Sequence, residues 1–142
     1  MRIASELFLD TAYALALISP RDEFQERARS LSVQLEKSRT LVVTTRAVLV
    51  EIGNALSKRQ FRSAAVQLLE SLEADPTIEI VPLSEQLYAQ AYELYRARPD
   101  KEWGLVDCIS FVVMQERRIN DALTSDEHFR QAGFRVLLRE DD

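Results

Sequence analysis

Apolar residues occur along the chain in two patterns. Short, dense runs alternate with longer stretches in which apolar positions recur every three or four residues. The short runs are ELFLD (6–10), TLVVTT (40–45), TIEIVP (77–82), DALTS (121–125) and FRVLL (134–138). Their length and β-branched content predict strands. TAYALALI after Asp10 reads as a helix, and 21–38 as an amphipathic one with Phe24, Ala28, Leu31 and Leu35 on one face. Residues 46–59 predict a helix with a Thr available as N-cap, and 61–75 a helix ending before Pro76. Residues 84–98 predict a helix capped by Ser84, and EHFRQAG a short one closed by Gly133.

WGLVDCISFVVM (103–114) stands apart, because as a helix it is apolar on every side. Leu105, Ile109 and Val112 share one face, Val106 and Val113 lie beside it, and Phe111 and Met114 point the other way. Such helices are normally buried. Asp107 inside it therefore needs a partner, since an isolated buried carboxylate is strongly unfavourable.

Strands separated by helices predict an α/β fold, a three-layer sandwich with a mostly parallel central sheet flanked by helices. Sheets of this kind bind ligands beyond the C-terminal ends of their strands. A length of 142 residues without linker or repeat predicts one domain over 1–142. Only three Gly and four Pro argue against an all-β chain. The single Cys108 excludes an internal disulfide and fits a reducing cytoplasm. MRIASELFLD has no signal-peptide apolar core, and no run is long enough to span a membrane, so a cytoplasmic location is expected. The net charge of −5 gives no general attraction to nucleic acid, but cations bound to gathered acids can reverse the local sign.

The acids fall where the sheet rule points. Asp10 follows the apolar run LFL, and Asp126 follows LTS. Glu51 is set in AVLVEIGNAL, with Asn54 one turn on and on the same face. Singly, Asp10 and Asp126 read more readily as helix N-caps, Glu51 as a partner of Arg46 or Lys58, and Asp107 as an acid favoured by the helix dipole. Capping leaves Glu51 unexplained and suits Asp107 poorly. One arrangement covers all four: a carboxylate cluster at the sheet edge neutralised by a hard divalent cation.

LFLDTAYALAL, TTRAVLVEIGNAL and WGLVDCISFVVM followed by ALTSDEHFRQAGF, in that order, resemble the PIN-domain ribonucleases, and among them the VapC-like toxins of toxin–antitoxin pairs. The resemblance maps the family's metal-site acids onto Asp10, Glu51, Asp107 and Asp126, with Thr11 after the first and Thr124 and Ser125 before the last. It implies an endoribonuclease dependent on Mg²⁺ or Mn²⁺, with in-line attack of water on an RNA phosphodiester, leaving a 5′-phosphate and a 3′-hydroxyl. Asp10 and Asp107 are then the first candidates for metal ligation. Asp126 completes the set, binds through water or holds a second ion, and Glu51 orients the water. The resemblance also implies a homodimer and a small antitoxin whose peptide tail covers the site.

Other residues carry weaker readings. His128 reads as a surface or packing residue ahead of a general base, and Cys108 as core. Lys58, Arg59 and Arg62 around Phe61, and Arg96, Arg98 and Lys101 before Trp103, are solvated faces first and candidate RNA backbone contacts second. Trp103 packs at the core or rim, or stacks on a base. The Tyr88, Tyr92, Tyr95 stripe reads as core or interface. A phosphorelay receiver is the rival of another class, but it wants an acidic pair after the first strand, where Thr11 follows Asp10, and a Lys that FRVLLRED lacks. A haloacid-dehalogenase-type phosphatase wants an acid where Ala12 stands. A PIN-like RNA- or protein-binding regulator without catalysis is the remaining alternative.

Overall fold

A computed structural model describes residues 5–140, so residues 1–4 of MRIASELFLD, on which the leader-free reading partly rests, lie outside the described residues. The strands are β1 (Glu6–Leu9), β2 (Leu41–Thr45), β3 (Ile78–Val81), β4 (Asp121–Leu123) and β5 (Arg135–Val136). They form one sheet in the order β3-β2-β1-β4-β5, every pairing parallel. The helices are α1 (Thr11–Ile18), α2 (Gln25–Ser38), α3 (Arg46–Ala55), α4 (Arg59–Ala74), α5 (Glu85–Ala97), α6 (Leu105–Arg117) and α7 (Glu127–Gln131). The expected α/β sandwich is the observed fold. Among the described residues no helix is long and apolar enough to cross a membrane.

Alternation along the strands sorts the helices into layers. Leu9, Val42 and Leu123 face one side, where Tyr13 and Leu17 of α1, Leu35 of α2 and Leu68 and Leu72 of α4 line a shared hollow with them. Phe8 points to the other side and meets Phe129 of α7, ring centroids 6.3 Å apart. Phe111 of α6 packs edge-on against Phe129 at 4.9 Å and Trp103 at 5.0 Å. α5 packs on α6 through the buried Leu87 and Ala91.

Most boundaries follow from capping. Thr45 ends β2 and caps α3, its hydroxyl accepting from the Val48 N–H at 3.1 Å, and Ser84 does the same for Leu87 at 3.0 Å. Four expectations need correction. The helix expected over 21–38 starts at Gln25, because Asp22 accepts from the Phe24 N–H at 2.8 Å and holds the chain in a turn. The helix expected over 46–59 ends at Ala55, and the Ser57 carbonyl is taken by the Arg62 guanidinium at 2.7 and 3.0 Å. The last strand is not 134–138: after Val136 the chain makes a 3-10 turn over Leu137–Arg139. That turn folds back on the end of β4, with the Leu138 N–H donating to the Thr124 carbonyl at 3.1 Å, and buries both Leu137 and Leu138. The Tyr88, Tyr92 and Tyr95 side chains are not core; each is nearly half exposed.

α6 is also less enclosed than its sequence suggests. Cys108 to Phe111, Val113 and Met114 are buried, whereas Leu105, Val106, Asp107 and Val112 are half-buried. The open part is the first turn, where Asp107 sits.

Phe111 joins α6 to α7 and to Trp103. Phe111→Ala should cost about 3–5 kcal/mol of unfolding free energy in a denaturant titration; a loss below about 1 kcal/mol would contradict this packing.

Candidate functional site

The register of the central strands sets the site. Leu9 pairs with Leu123, so the next residues, Asp10 and Thr124, leave the sheet side by side. The Asp10 N–H donates to the Leu123 carbonyl at 3.2 Å, and the Thr124 hydroxyl donates to Asp10 Oδ2 at 2.7 Å. That hydroxyl also accepts from the Asp126 N–H at 3.0 Å, which fixes its own hydrogen on Asp10. Thr44 adds support from β2 by donating to the Leu9 carbonyl at 2.8 Å.

Asp10 caps α1, and Asp126 caps α7 by accepting from the His128 N–H at 2.8 Å. The capping readings and the cluster reading thus describe the same side chains. Glu51, half-buried on α3, accepts a hydrogen bond from the Thr11 hydroxyl. Asp107 stands at the third position of α6, and its Oδ2 accepts from the Gly104 N–H at 3.0 Å. The capping contact that suited Asp107 poorly in the sequence therefore exists, reciprocal to the turn that opens α6.

Two of the four acids are raised by their surroundings. Asp10 is 3% exposed, and burial pushes its carboxyl up from 3.8 to about 7. The charges of Asp107 and Glu51 push the same way, and the Thr124 hydrogen bond opposes them. Asp107 is also raised, first by burial and then by the Asp126 charge, against the Gly104 N–H and His128. Crowded carboxylates with this pattern are what a cation would neutralise.

His128 is the site residue that sequence reasoning undervalued. Its Nδ1 lies 3.1 Å from Asp107 Oδ2 and 3.5 Å from Asp126 Oδ1, which brings this partly exposed ring to the acidic edge. Donor atoms of Asp107, Asp126 and His128 all fall within 4.8 Å of one another. The available signal was the spacing: with Asp126 as cap, the residue two on lies in the first helical turn beside it.

Other candidates remain apart. Among the described residues, Asn54 is exposed and makes no hydrogen bond to the acids. Ser125 contributes its carbonyl, which accepts from Arg139 Nε at 2.6 Å. Cys108 is buried and its thiol is pushed up to about 11 by burial, as suits a core residue. Trp103 is 6% exposed, with Nε1 donating to Gln131 Oε1 at 3.0 Å, which leaves no free face for a base. Arg96 and Arg98 are paired with Glu93 and Asp100. Lys101 lines a shallow hollow that runs to Gly104, at the mouth of the acidic edge. Lys58, Arg59 and Arg62 are exposed around the start of α4.

The family profile described as PIN domain matches residues 7–135. The 23S rRNA-specific endonuclease VapC20 of Mycobacterium tuberculosis is 28% identical over 128 residues, covering 90% of this chain and 95% of the relative. The crystal structure of that VapC20, described as a sarcin–ricin loop cleaving toxin, superposes with a TM-score of 0.78 over 90% of this chain and 95% of its own. FitAcB from Neisseria gonorrhoeae, at 20% identity, shares the fold with a TM-score of 0.63 over 92% of this chain and 95% of its own.

The raised Asp10 carboxyl has a consequence for stability. In the unfolded chain the group ionises near its ordinary value of 3.8, but in the folded, metal-free protein only near about 7. Its contribution is therefore full below pH 3.8 and is lost as pH rises through about 7. In EDTA, Asp10→Asn should melt above wild type at neutral pH and show a flatter decline between about pH 4 and pH 7 in a thermal melt. Parallel wild-type and variant curves would contradict the burial of an ionisable Asp10.

Proposed function

The chain belongs to the PIN-domain family, and from that membership we propose that it is a metal-dependent endoribonuclease, hydrolysing RNA phosphodiesters as the toxin of a toxin–antitoxin pair. The observation that carries the reading is the convergence of Asp10, Glu51, Asp107 and Asp126 on one edge of a parallel sheet, with Asp10 pushed up to about 7. The donor set is mostly carboxylate oxygen, which fits Mg²⁺ or Mn²⁺. Asp10, Asp107 and Asp126 are the proposed ligands. With a divalent ion held by these residues, the site would gain positive charge for the phosphate oxygens and a bound water of lowered pKa.

The remaining steps belong to the side chains. The Thr124 hydroxyl holds Asp10 in one orientation by donating to Oδ2, which leaves the other carboxyl oxygen available to a ligand. Thr11 holds Glu51, which orients the attacking water and takes its proton. Lys58, Arg59, Arg62 and Lys101 are proposed phosphate contacts along the exposed approach. Ribosomal RNA is the proposed substrate class, on the strength of the 28% identity to an enzyme named for 23S rRNA.

The same reading takes the chain as one domain over 1–142, acting in the cytoplasm with an antitoxin partner. The exposed Leu83, Tyr88, Tyr92 and Tyr95 support a protein partner at α5, for which a second copy in a homodimer is proposed. The receiver alternative has no support from the sheet, whose order β3-β2-β1-β4-β5 differs from the 2-1-3-4-5 order of receiver domains. A non-catalytic RNA-binding regulator is the alternative to be tested.

Purified protein without antitoxin should cleave 23S rRNA with Mg²⁺ or Mn²⁺ and not in EDTA. Asp10→Asn and Asp107→Asn should each cut the rate by about a hundredfold or more, the scale of losing a group that stabilises developing charge. RNA binding without cleavage under every metal condition would favour the regulator; metal-independent cleavage equal in wild type and variants would overturn the enzyme reading.

A further inference from the structure

We propose that His128 is a metal ligand, its Nδ1 joining Asp107 and Asp126 around one divalent cation and giving that position a preference for Mn²⁺ over Mg²⁺. This rests on reading the acidic edge as a metal centre, and it adds a nitrogen donor to a centre otherwise made of oxygen.

The spacing carries the inference. Neighbouring ligands of an octahedral ion with bonds of about 2.1 Å are about 3 Å apart. His128 Nδ1 is 3.1 Å from Asp107 Oδ2 and 3.5 Å from Asp126 Oδ1. All three donors fall within 4.8 Å of one another, against about 4.2 Å for opposite ligands at that bond length, so a small closure of the carboxylates would complete the set. They come from two elements far apart in sequence, α6 and the turn into α7.

The imidazole is held in place from below. The His128 N–H is bound to Asp126 Oδ1 at 2.8 Å, and the next residue, Phe129, is fully buried against Phe8 and Phe111. The anchoring fixes the first turn of α7, and with it the ring over the two carboxylates. The ring is about one-third exposed, so Nε2 can keep the proton while Nδ1 coordinates. Mn²⁺ and Mg²⁺ both favour carboxylate, carbonyl and water oxygens, but Mn²⁺, a first-row transition ion, accepts an imidazole nitrogen more readily than the harder Mg²⁺. Asp10 and Glu51, supported by Thr11 and Thr124 hydroxyls, form the oxygen-only side of the same edge.

A different role is open to the same ring: it could serve only to hydrogen-bond Asp107 and steady it. Pulsed EPR of Mn²⁺ bound to the full-length protein separates the two. Wild type should show hyperfine coupling from a directly bound nitrogen, and His128→Gln, whose amide can still reach Asp107, should lose it. Mn²⁺ affinity of that variant should fall at least as far as the roughly tenfold that loss of an outer-shell partner gives, while Mg²⁺ affinity by calorimetry stays within a small factor, a selectivity that a merely steadying role would not produce. Mn²⁺ bound to wild type without nitrogen coupling overturns the inference and leaves the carboxylate centre standing. Equal losses for both ions assign His128 to steadying Asp107 and also overturn it. No Mn²⁺ binding by folded wild type overturns the metal centre itself, and this inference with it.

Discussion

Everything at the functional edge depends on one awkward fact: the strand that fills the centre of the sheet ends in a buried carboxyl. Asp10 is 3% exposed and follows Leu7, Phe8 and Leu9, all buried. Burial is the largest cause of its rise to about 7; two neighbouring acids push the same way and the Thr124 hydrogen bond opposes them. The fold meets part of the cost with the Thr124 hydroxyl, whose orientation is fixed by the Asp126 N–H. What hydrogen bonds leave uncompensated is a concentration of negative charge. A divalent cation is one group that would neutralise such a concentration of charge.

The scaffold around that edge is built to hold positions. Thr45 leads from β2 into α3 without a loop, so Glu51 is set one and a half turns from the sheet by a cap and a helix. The aromatic contacts of Phe8, Phe111 and Phe129 tie β1, α6 and α7 into one block. Asp107 and Asp126 project from that block, which is why two acids nineteen residues apart in the chain can face a single imidazole. Rigid elements carry the side chains whose chemistry needs fixed geometry.

Much of this was legible in the sequence, for a local reason. An acid directly after an apolar strand marks the strand's C-terminal end, and parallel sheets gather those ends; Asp10 and Asp126 followed from that. Glu51 and Asp107 stood out because their neighbours are apolar. Less legible were features that depend on pairing across the chain. The Thr124 contact to Asp10 spans 114 residues and requires the Leu9–Leu123 register. His128 looked peripheral because a five-residue helix has too little periodicity to show which way its first turn faces. The buried Leu137–Leu138 pair resembled strand until the chain's turn over the β4 end was seen. The tyrosine stripe of α5 has core spacing but lies on the outer side, since apolar period alone does not say what covers a face.

The central claim is that Asp10, Asp107 and Asp126 exist to hold a cation. A crystal soaked in Mn²⁺ and measured for anomalous scattering tests it most directly. The account predicts an anomalous peak within coordinating distance of carboxylate oxygens from Asp10 and Asp107, with Asp126 alongside. Peaks elsewhere on the surface, with none beside these three acids, would contradict it.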